Sequence, residues 1–243
     1  MNAAEYDNLE ITEREHWYYA GKRDLVRRWL RDVARLEKQQ VLLDCGAGTG
    51  LFAQEMSAQC RVLVLDDHEE SLQRLRKRFS PEQVLRVSAQ GIPLGNGSVD
   101  AITALDVLEH IEGDQAAVQE MARVLRPGGV GIFTVPAGMA LWSDWDTSLH
   151  HFRRYDRAQL RQLFENPDWE ILHVNYTNVV VYPVVWLVRK WRAWTKSPGT
   201  SRTEDKIPPR WLNGLLRAVF VNMGRWRLPF PFGVSLLLVA RRR

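Results

Sequence analysis

Between Val41 and Val135 short apolar runs alternate with segments of helical period, the pattern of a strand–helix–strand chain. The runs at Val41 to Asp44, Val62 to Asp66, Val84 to Ser88, Val99 to Leu105 and Val130 to Val135 predict five strands. Most are nearly continuous in apolar residues, as in strands buried on both faces. Ser71 to Phe79 predicts a helix halted by Ser80-Pro81, and Gln115 to Leu125 a second one with Asp114 as its N-cap. In the second, Val118, Met121, Ala122 and Leu125 fall at i, i+3, i+4 and i+7, one stripe for the sheet, before Arg126-Pro127-Gly128-Gly129 ends it. Asp168 to Asn175 and Gly233 to Ala240 predict two more strands that close the sheet as an antiparallel edge.

More than fifty residues separate those last two strands, too many for a hairpin turn. Two helical pieces are expected there, the second from Trp211 to about Asn222, joined by a loop from Ser197-Pro198-Gly199 to Pro208-Pro209. The domain plan is a helical cap over 1–40, an α/β core over 41–178 with a lid at 137–156, a helical insertion over 179–231, and the final strand of the core over 232–243. The fold class is doubly wound α/β with seven strands, mostly parallel.

Charge changes the picture of the insertion. The chain of 243 residues carries a net charge of +4, yet 179–231 holds ten Lys or Arg against two acids, and five of the ten tryptophans. Such a stretch suits anionic lipid or nucleic-acid phosphate, or it is a solvated helix face with packed aromatics. Its apolar run from Val179 to Val188 is shorter than the roughly 20 residues a membrane span needs. Two cysteines, Cys45 and Cys60, make no disulfide framework. The polar start of the chain lacks the marks of a secretory signal, so a cytoplasmic protein is expected, with the insertion a candidate for peripheral contact with the inner face of the membrane.

The chemistry centres on Asp44-Cys45-Gly46-Ala47-Gly48-Thr49-Gly50, a strand end followed by a glycine loop and a helix start at Leu51-Phe52-Ala53. Ligands bind open α/β sheets there, against small residues and free helix N–H groups. A dinucleotide fingerprint needs glycine at its first, third and sixth positions, and the sixth here is Leu51. Asp66, twenty residues past Gly46, is placed to accept from ribose hydroxyls, and Asp67 could share the task.

The stretches VLLDCGAGTG, the acid at Asp66, SVDAITALDVLEHI and RVLRPGG resemble those of class I S-adenosylmethionine-dependent methyltransferases, over roughly Val41 to Pro136. The flanking HWYYAGKR, WSDWD…HHFRRYD and LPFPFGVSLLLVARR resemble a type 11/12-like subgroup met near sugar and lipid assembly genes, although Ala20 stands for its usual arginine and Trp145 for its usual histidine. The resemblance implies a Rossmann-like sheet and S-adenosyl-L-methionine as donor, leaving S-adenosyl-L-homocysteine. It implies donor contacts from Asp44, Gly46, Ala47, Gly48, Asp66, Asp67, Ser88, Ala89 and Asp106. At Ser88 a hydroxyl replaces the family's usual acid.

Methyl transfer from a sulfonium is an in-line displacement, so an enzyme aligns its reactants and, for a hydroxyl acceptor, removes a proton. The lid concentrates Asp144, Asp146, His150, His151, Arg153, Arg154 and Tyr155. His151 is the expected general base because imidazole titrates near neutrality, with Asp146 to orient it and Tyr155 as a contact to the acceptor. Alternatively His151 caps a loop, Asp146 pairs with Arg153 or Arg154, and Tyr155 is core. Glu109 and His110 after the fourth strand start a helix or face the cofactor. Arg23 could bind the methionyl carboxylate as a bidentate pair, or stand exposed on its helix. No metal is expected, since neither the acids nor the histidines of the lid show a ligand spacing.

The expected acceptor is a small-molecule, sugar or lipid-like hydroxyl or amine. A nucleic-acid methyltransferase is disfavoured: Asp106-Val107-Leu108-Glu109 stands where an Asn/Asp-Pro-Pro-aromatic motif would be. An inactive donor-binding partner protein is the remaining alternative.

Overall fold

The computed structural model describes residues 10–195, 206–226 and 228–243. The expected loop at Ser197-Pro198-Gly199 and the first nine residues of the cap lie outside the described residues.

Seven strands form one sheet in the order β3-β2-β1-β4-β5-β7-β6. They are β1 (Val41–Cys45), β2 (Arg61–Asp66), β3 (Val84–Arg86), β4 (Val99–Leu105), β5 (Leu125–Pro136), β6 (Trp169–Thr177) and β7 (Ser235–Arg242). The first five pair in parallel, and β7 runs antiparallel to both β5 and β6. Because β1 lies between β2 and β4, chain order reverses there, which opens a crevice at the carboxyl ends of β1 and β4.

Alternation along the strands sends neighbours to opposite faces. Leu43, Ile102, Phe133 and Leu238 join Val118 and Met121 of α5 (Asp114–Val124) in one core. Leu42, Ala101, Ile132 and Leu237 join the other, with Leu25 and Val26 of α2 (Trp17–Trp29) and Phe220 of α9 (Arg210–Met223). Two buried faces explain why the strands read as unbroken apolar runs.

Helix α2 follows a helical turn, α1 (10–15). It packs on α9 so closely that a side chain at Gly21 would stand 3.0 Å from the Phe220 ring. Asn213 of α9 accepts from the Trp17 amide at 2.8 Å and donates to the Glu15 carbonyl at 2.8 Å. The start of the chain and the second helix of the insertion thus form one layer, a contact no local pattern announces.

Some boundaries differ from expectation. Strand β3 stops at Arg86 because Ser88 and Gly91 exchange backbone hydrogen bonds in a tight turn. Strand β5 starts at Leu125, five residues early, with Arg126 to Gly129 drawn into it. Gly113, not Asp114, is the N-cap of α5, because the Asp114 carboxylate is taken by Tyr155 and Arg153.

The buried Asn175 of β6 ties down the segment before β7. Its Oδ1 accepts from the Tyr176 and Phe230 amides, and its Nδ2 donates to the Trp226 and Leu228 carbonyls. Asn175→Ala leaves these backbone groups without their partner and is expected to cost about 2–4 kcal/mol, read as a lowered midpoint in urea unfolding.

Candidate active site

At the end of β1 the Gly46 amide donates to the Leu65 carbonyl at 2.8 Å, and a side chain there would collide with Val107 at 2.5 Å. Gly46 therefore sets the approach of the loop to the end of β4. Gly48 differs. Its backbone is left-handed, φ 56°, and a Cβ would meet nothing within 4 Å, so this turn faces open space. Ala47 between them is anchored through its amide to the Leu65 carbonyl at 3.2 Å.

Asp66 is a brace of this loop. Its Oδ2 accepts from the Gly48 amide at 3.0 Å and Ser71 Oγ at 2.7 Å, and its Oδ1 from the Asp67 and His68 amides at 2.9 and 3.0 Å. A carboxylate has about four acceptor positions, and here the protein fills them. The adjoining Asp67 is exposed. Ser88 and Ala89 lie in an exposed turn, where Ser88 Oγ donates to Gln90 Oε1 at 2.9 Å.

Negative charge gathers behind the loop. Asp44 is buried and accepts from Thr103 Oγ1 at 2.7 Å. Burial, with the carboxylates of Glu13 and Asp66 nearby, pushes its pKa up to about 7. Glu13 on α1 accepts from Thr49 Oγ1 of the loop, and burial raises its pKa as well.

The Arg23 guanidinium pairs with Glu55 at 3.0 Å and donates to the Glu13 carbonyl. Lys22 is its neighbour on α2. Buried, it pairs with Asp106 and lies 4.6 Å above the Tyr18 ring. Burial works against its charge, but Asp106 and Tyr18 more than restore it. The i, i+4 spacing of Tyr18 and Lys22 was a usable signal that the sequence reading passed over. Asp106 itself sits in left-handed backbone, φ 56°, and accepts from Thr134 Oγ1 at 2.8 Å. A strained non-glycine residue at a strand end is common where function constrains the chain.

The lid turns on Asp146 of α6 (Asp144–Ser148), which is fully buried. Its Oδ1 meets Arg154 Nε at 2.7 Å and His151 Nδ1 at 3.0 Å, and its Oδ2 accepts from the Ser143 amide at 2.9 Å. Arg189 of α8 (Tyr182–Thr195) approaches the same carboxylate at 3.6 Å. Burial would raise this carboxyl, but His151 and the two guanidiniums outweigh it and hold the pKa at about 2. Asp146 therefore orients His151 and pairs with Arg154 at once.

The buried Tyr155 hydroxyl donates to Asp114 Oδ2 at 2.8 Å and reaches the Leu108 carbonyl at 3.2 Å, which ties the lid to the loop after β4. The Phe152 amide donates to the Glu109 carbonyl at 2.8 Å in the same seam. Asp144 and His150 are exposed. Glu109 is fully buried, and burial with Asp106 nearby raises its pKa strongly. Its signal in the sequence is an acid set between Leu108 and His110 directly after the apolar fourth strand.

Residues 43–133, which include the glycine loop, Asp66, Asp106 and Glu109, match the model of a methyltransferase domain. A protein of Mycolicibacterium smegmatis named an S-adenosylmethionine-dependent methyltransferase is 31% identical over 133 residues, 54% of this chain and 52% of its own. The malonyl-[acyl-carrier protein] O-methyltransferase of Enterobacter lignolyticus is 29% identical over 137 residues, 53% of this chain and 55% of its own. The chain thus spans about half the length of these curated relatives. A solved SAM-dependent methyltransferase from Thermotoga maritima has the same fold, with a TM-score of 0.63 at 17% identity over 99% of this chain and 96% of that one.

The Asp44 carboxyl keeps its proton to about pH 7 in the folded chain but only to about pH 4 when unfolded. The folded state thus binds more protons between those values, and stability falls as pH rises through that window. Asp44→Asn keeps an acceptor for Thr103. It is expected to add about 2 kcal/mol or more to the ligand-free protein at pH 8, and to flatten the pH dependence of thermal unfolding between pH 4 and 7.

Proposed function

We propose, from the match of residues 43–133 to a methyltransferase domain, that the chain is a class I S-adenosylmethionine-dependent methyltransferase and that it transfers a methyl group to a hydroxyl or amine of a small-molecule, sugar or lipid-like acceptor. The observation that carries this is the charge of the crevice: Glu13 and Asp44 crowd together behind the open turn at Gly48, and a donor bearing a sulfonium and an ammonium supplies the positive charge they lack. When bound, S-adenosylmethionine provides a methyl group on positively charged sulfur, open to in-line displacement. Glu13 and Asp44 would hold the cationic end, Gly48 the close approach of the chain, Asp67 the ribose, and Ser88 with Ala89 the adenine side. Asp106, paired with Lys22, stands at the end of β4 beside the lid. His151, oriented by Asp146, is the side chain we assign to activation of the acceptor.

The insertion supports a lipid-like acceptor. Val184, Leu187, Val188 and Trp191 of α8, at i, i+3, i+4 and i+7, are all exposed, and so are Trp211 and Leu215 of α9. Two apolar stripes turned outward, with Lys190 exposed beside them, suit a helix pair lying in the headgroup region of a membrane. No helix among the described residues is long and apolar enough to cross one.

Calorimetry of the purified chain with S-adenosylmethionine and S-adenosylhomocysteine is expected to show micromolar binding, with donor affinity rising with pH through about 7 as Asp44 ionises. Gly48→Ala adds a methyl group that meets no protein atom. It should cost about 1 kcal/mol of stability from the left-handed backbone yet weaken donor binding at least roughly tenfold. A folded wild-type chain that binds neither compound sinks the proposal.

Co-sedimentation with anionic phosphatidylglycerol vesicles is expected at low salt, and Trp191→Glu with Trp194→Glu should abolish it while donor binding stays unchanged. Failure of the wild-type chain to sediment removes the membrane from this reading and leaves the donor site untouched.

A further inference from the structure

Glu109, His110 and His151 bring one carboxylate oxygen and two ring nitrogens to within 4.8 Å of one another, at the end of β4 and beneath the lid. Glu109 is fully buried and, among the described residues, neither of its oxygens has a hydrogen-bond partner. A buried carboxyl left unbonded costs several kcal/mol, and such a group in a native fold calls for a water or an ion. The two imidazoles stand edge to face with centroids 4.6 Å apart.

The His151 ring is already steered. Asp146 holds it through Nδ1, and Nε2 is its remaining nitrogen. An imidazole anchored at one nitrogen by a carboxylate or carbonyl and free at the other is how metal-ligating histidines are held. We propose that Glu109, His110 and His151 form a site for one divalent first-row transition-metal ion, with coordination positions left open for the acceptor's oxygen. Two nitrogens and one carboxylate favour zinc, cobalt or iron over the oxygen-seeking calcium and magnesium. Donors around a tetrahedral ion with bonds of about 2.1 Å stand roughly 3.4 Å apart, so binding requires the cluster, now within 4.8 Å, to contract.

Within the lid, Asp144, Asp146, His150 and His151 show no ligand spacing. The fold instead pairs one lid histidine with two residues some forty positions earlier, through the Phe152–Glu109 backbone bond. The inference rests on the methyl-transfer reading only for what the ion would do: an acceptor hydroxyl bound to it becomes more acidic and gives its proton to water, and His151 then activates the acceptor as a ligand rather than as a base.

The test uses the full chain, free of any histidine tag and stripped with a chelator, titrated with zinc and with cobalt, and separately with S-adenosylmethionine. One equivalent of zinc should bind at micromolar affinity or tighter, and cobalt should give the visible bands of a low-coordinate site. Glu109→Gln, which keeps the shape of the side chain, and His151→Ala should each weaken zinc binding by roughly 100-fold or more. Both should leave donor binding within about threefold, and Asp144→Ala should change neither. The absence of stoichiometric zinc binding, or equal affinity in the Glu109→Gln and wild-type chains, overturns the metal site while leaving the donor site standing. Zinc binding without donor binding upholds it and sinks the methyl-transfer reading instead.

Discussion

The buried carboxylate of Asp146 is the contact on which the acceptor side of the site depends. It gathers an imidazole and two guanidiniums from separate parts of the chain: His151 and Arg154 from the segment after α6, and Arg189 from α8. A charge removed from water is tolerated only when its partners are close and hydrogen-bonded. The Ser143 amide and hydroxyl complete the set for Oδ2. Removing the carboxylate would leave two buried guanidiniums without their shared anion, so lid, histidine and insertion hold one arrangement together.

The two sides of the crevice have opposite electrostatic character. Behind the glycine loop Glu13 and Asp44 repel each other and carry raised pKa values, a cost to the folded chain that a cationic ligand repays. On the lid side Asp146 is saturated with cations. Between them Lys22 and Asp106 form a buried pair at the end of β4, which divides an anionic pocket from a neutralised one. A donor with positive charge at one end and an uncharged hydroxyl acceptor would be sorted by that division alone.

The sheet and the glycine loop were legible because local patterns encode them. Unbroken apolar runs report strands buried on both faces, and Gly46, Gly48 and Asp66 stand at spacings set by one turn and one strand. Arg23 and Lys22 mark where this stops. Both are cations on the same helix, and which one enters the site depends on Asp106, 84 residues later, and Glu55, 32 residues later. The anchor of Tyr155 is hidden for the same reason: its partner Asp114 lies 41 residues away. Asp66 shows the other limit, since its position predicts a ligand contact while its four donors, all within 18 residues, make it a brace.

Arg189 links the surface of the insertion to the chemistry of the lid. On α8 it is buried and points to Asp146 and the Leu141 carbonyl, while Leu187, Val188 and Trp191 around it are exposed. One helix thus carries an outward apolar stripe and an inward guanidinium. A surface that fixes the stripe also fixes Arg189, and through the shared carboxylate it restrains His151. Coupling of this kind needs no large motion, because the carboxylate that orients the imidazole is the one that anchors the helix.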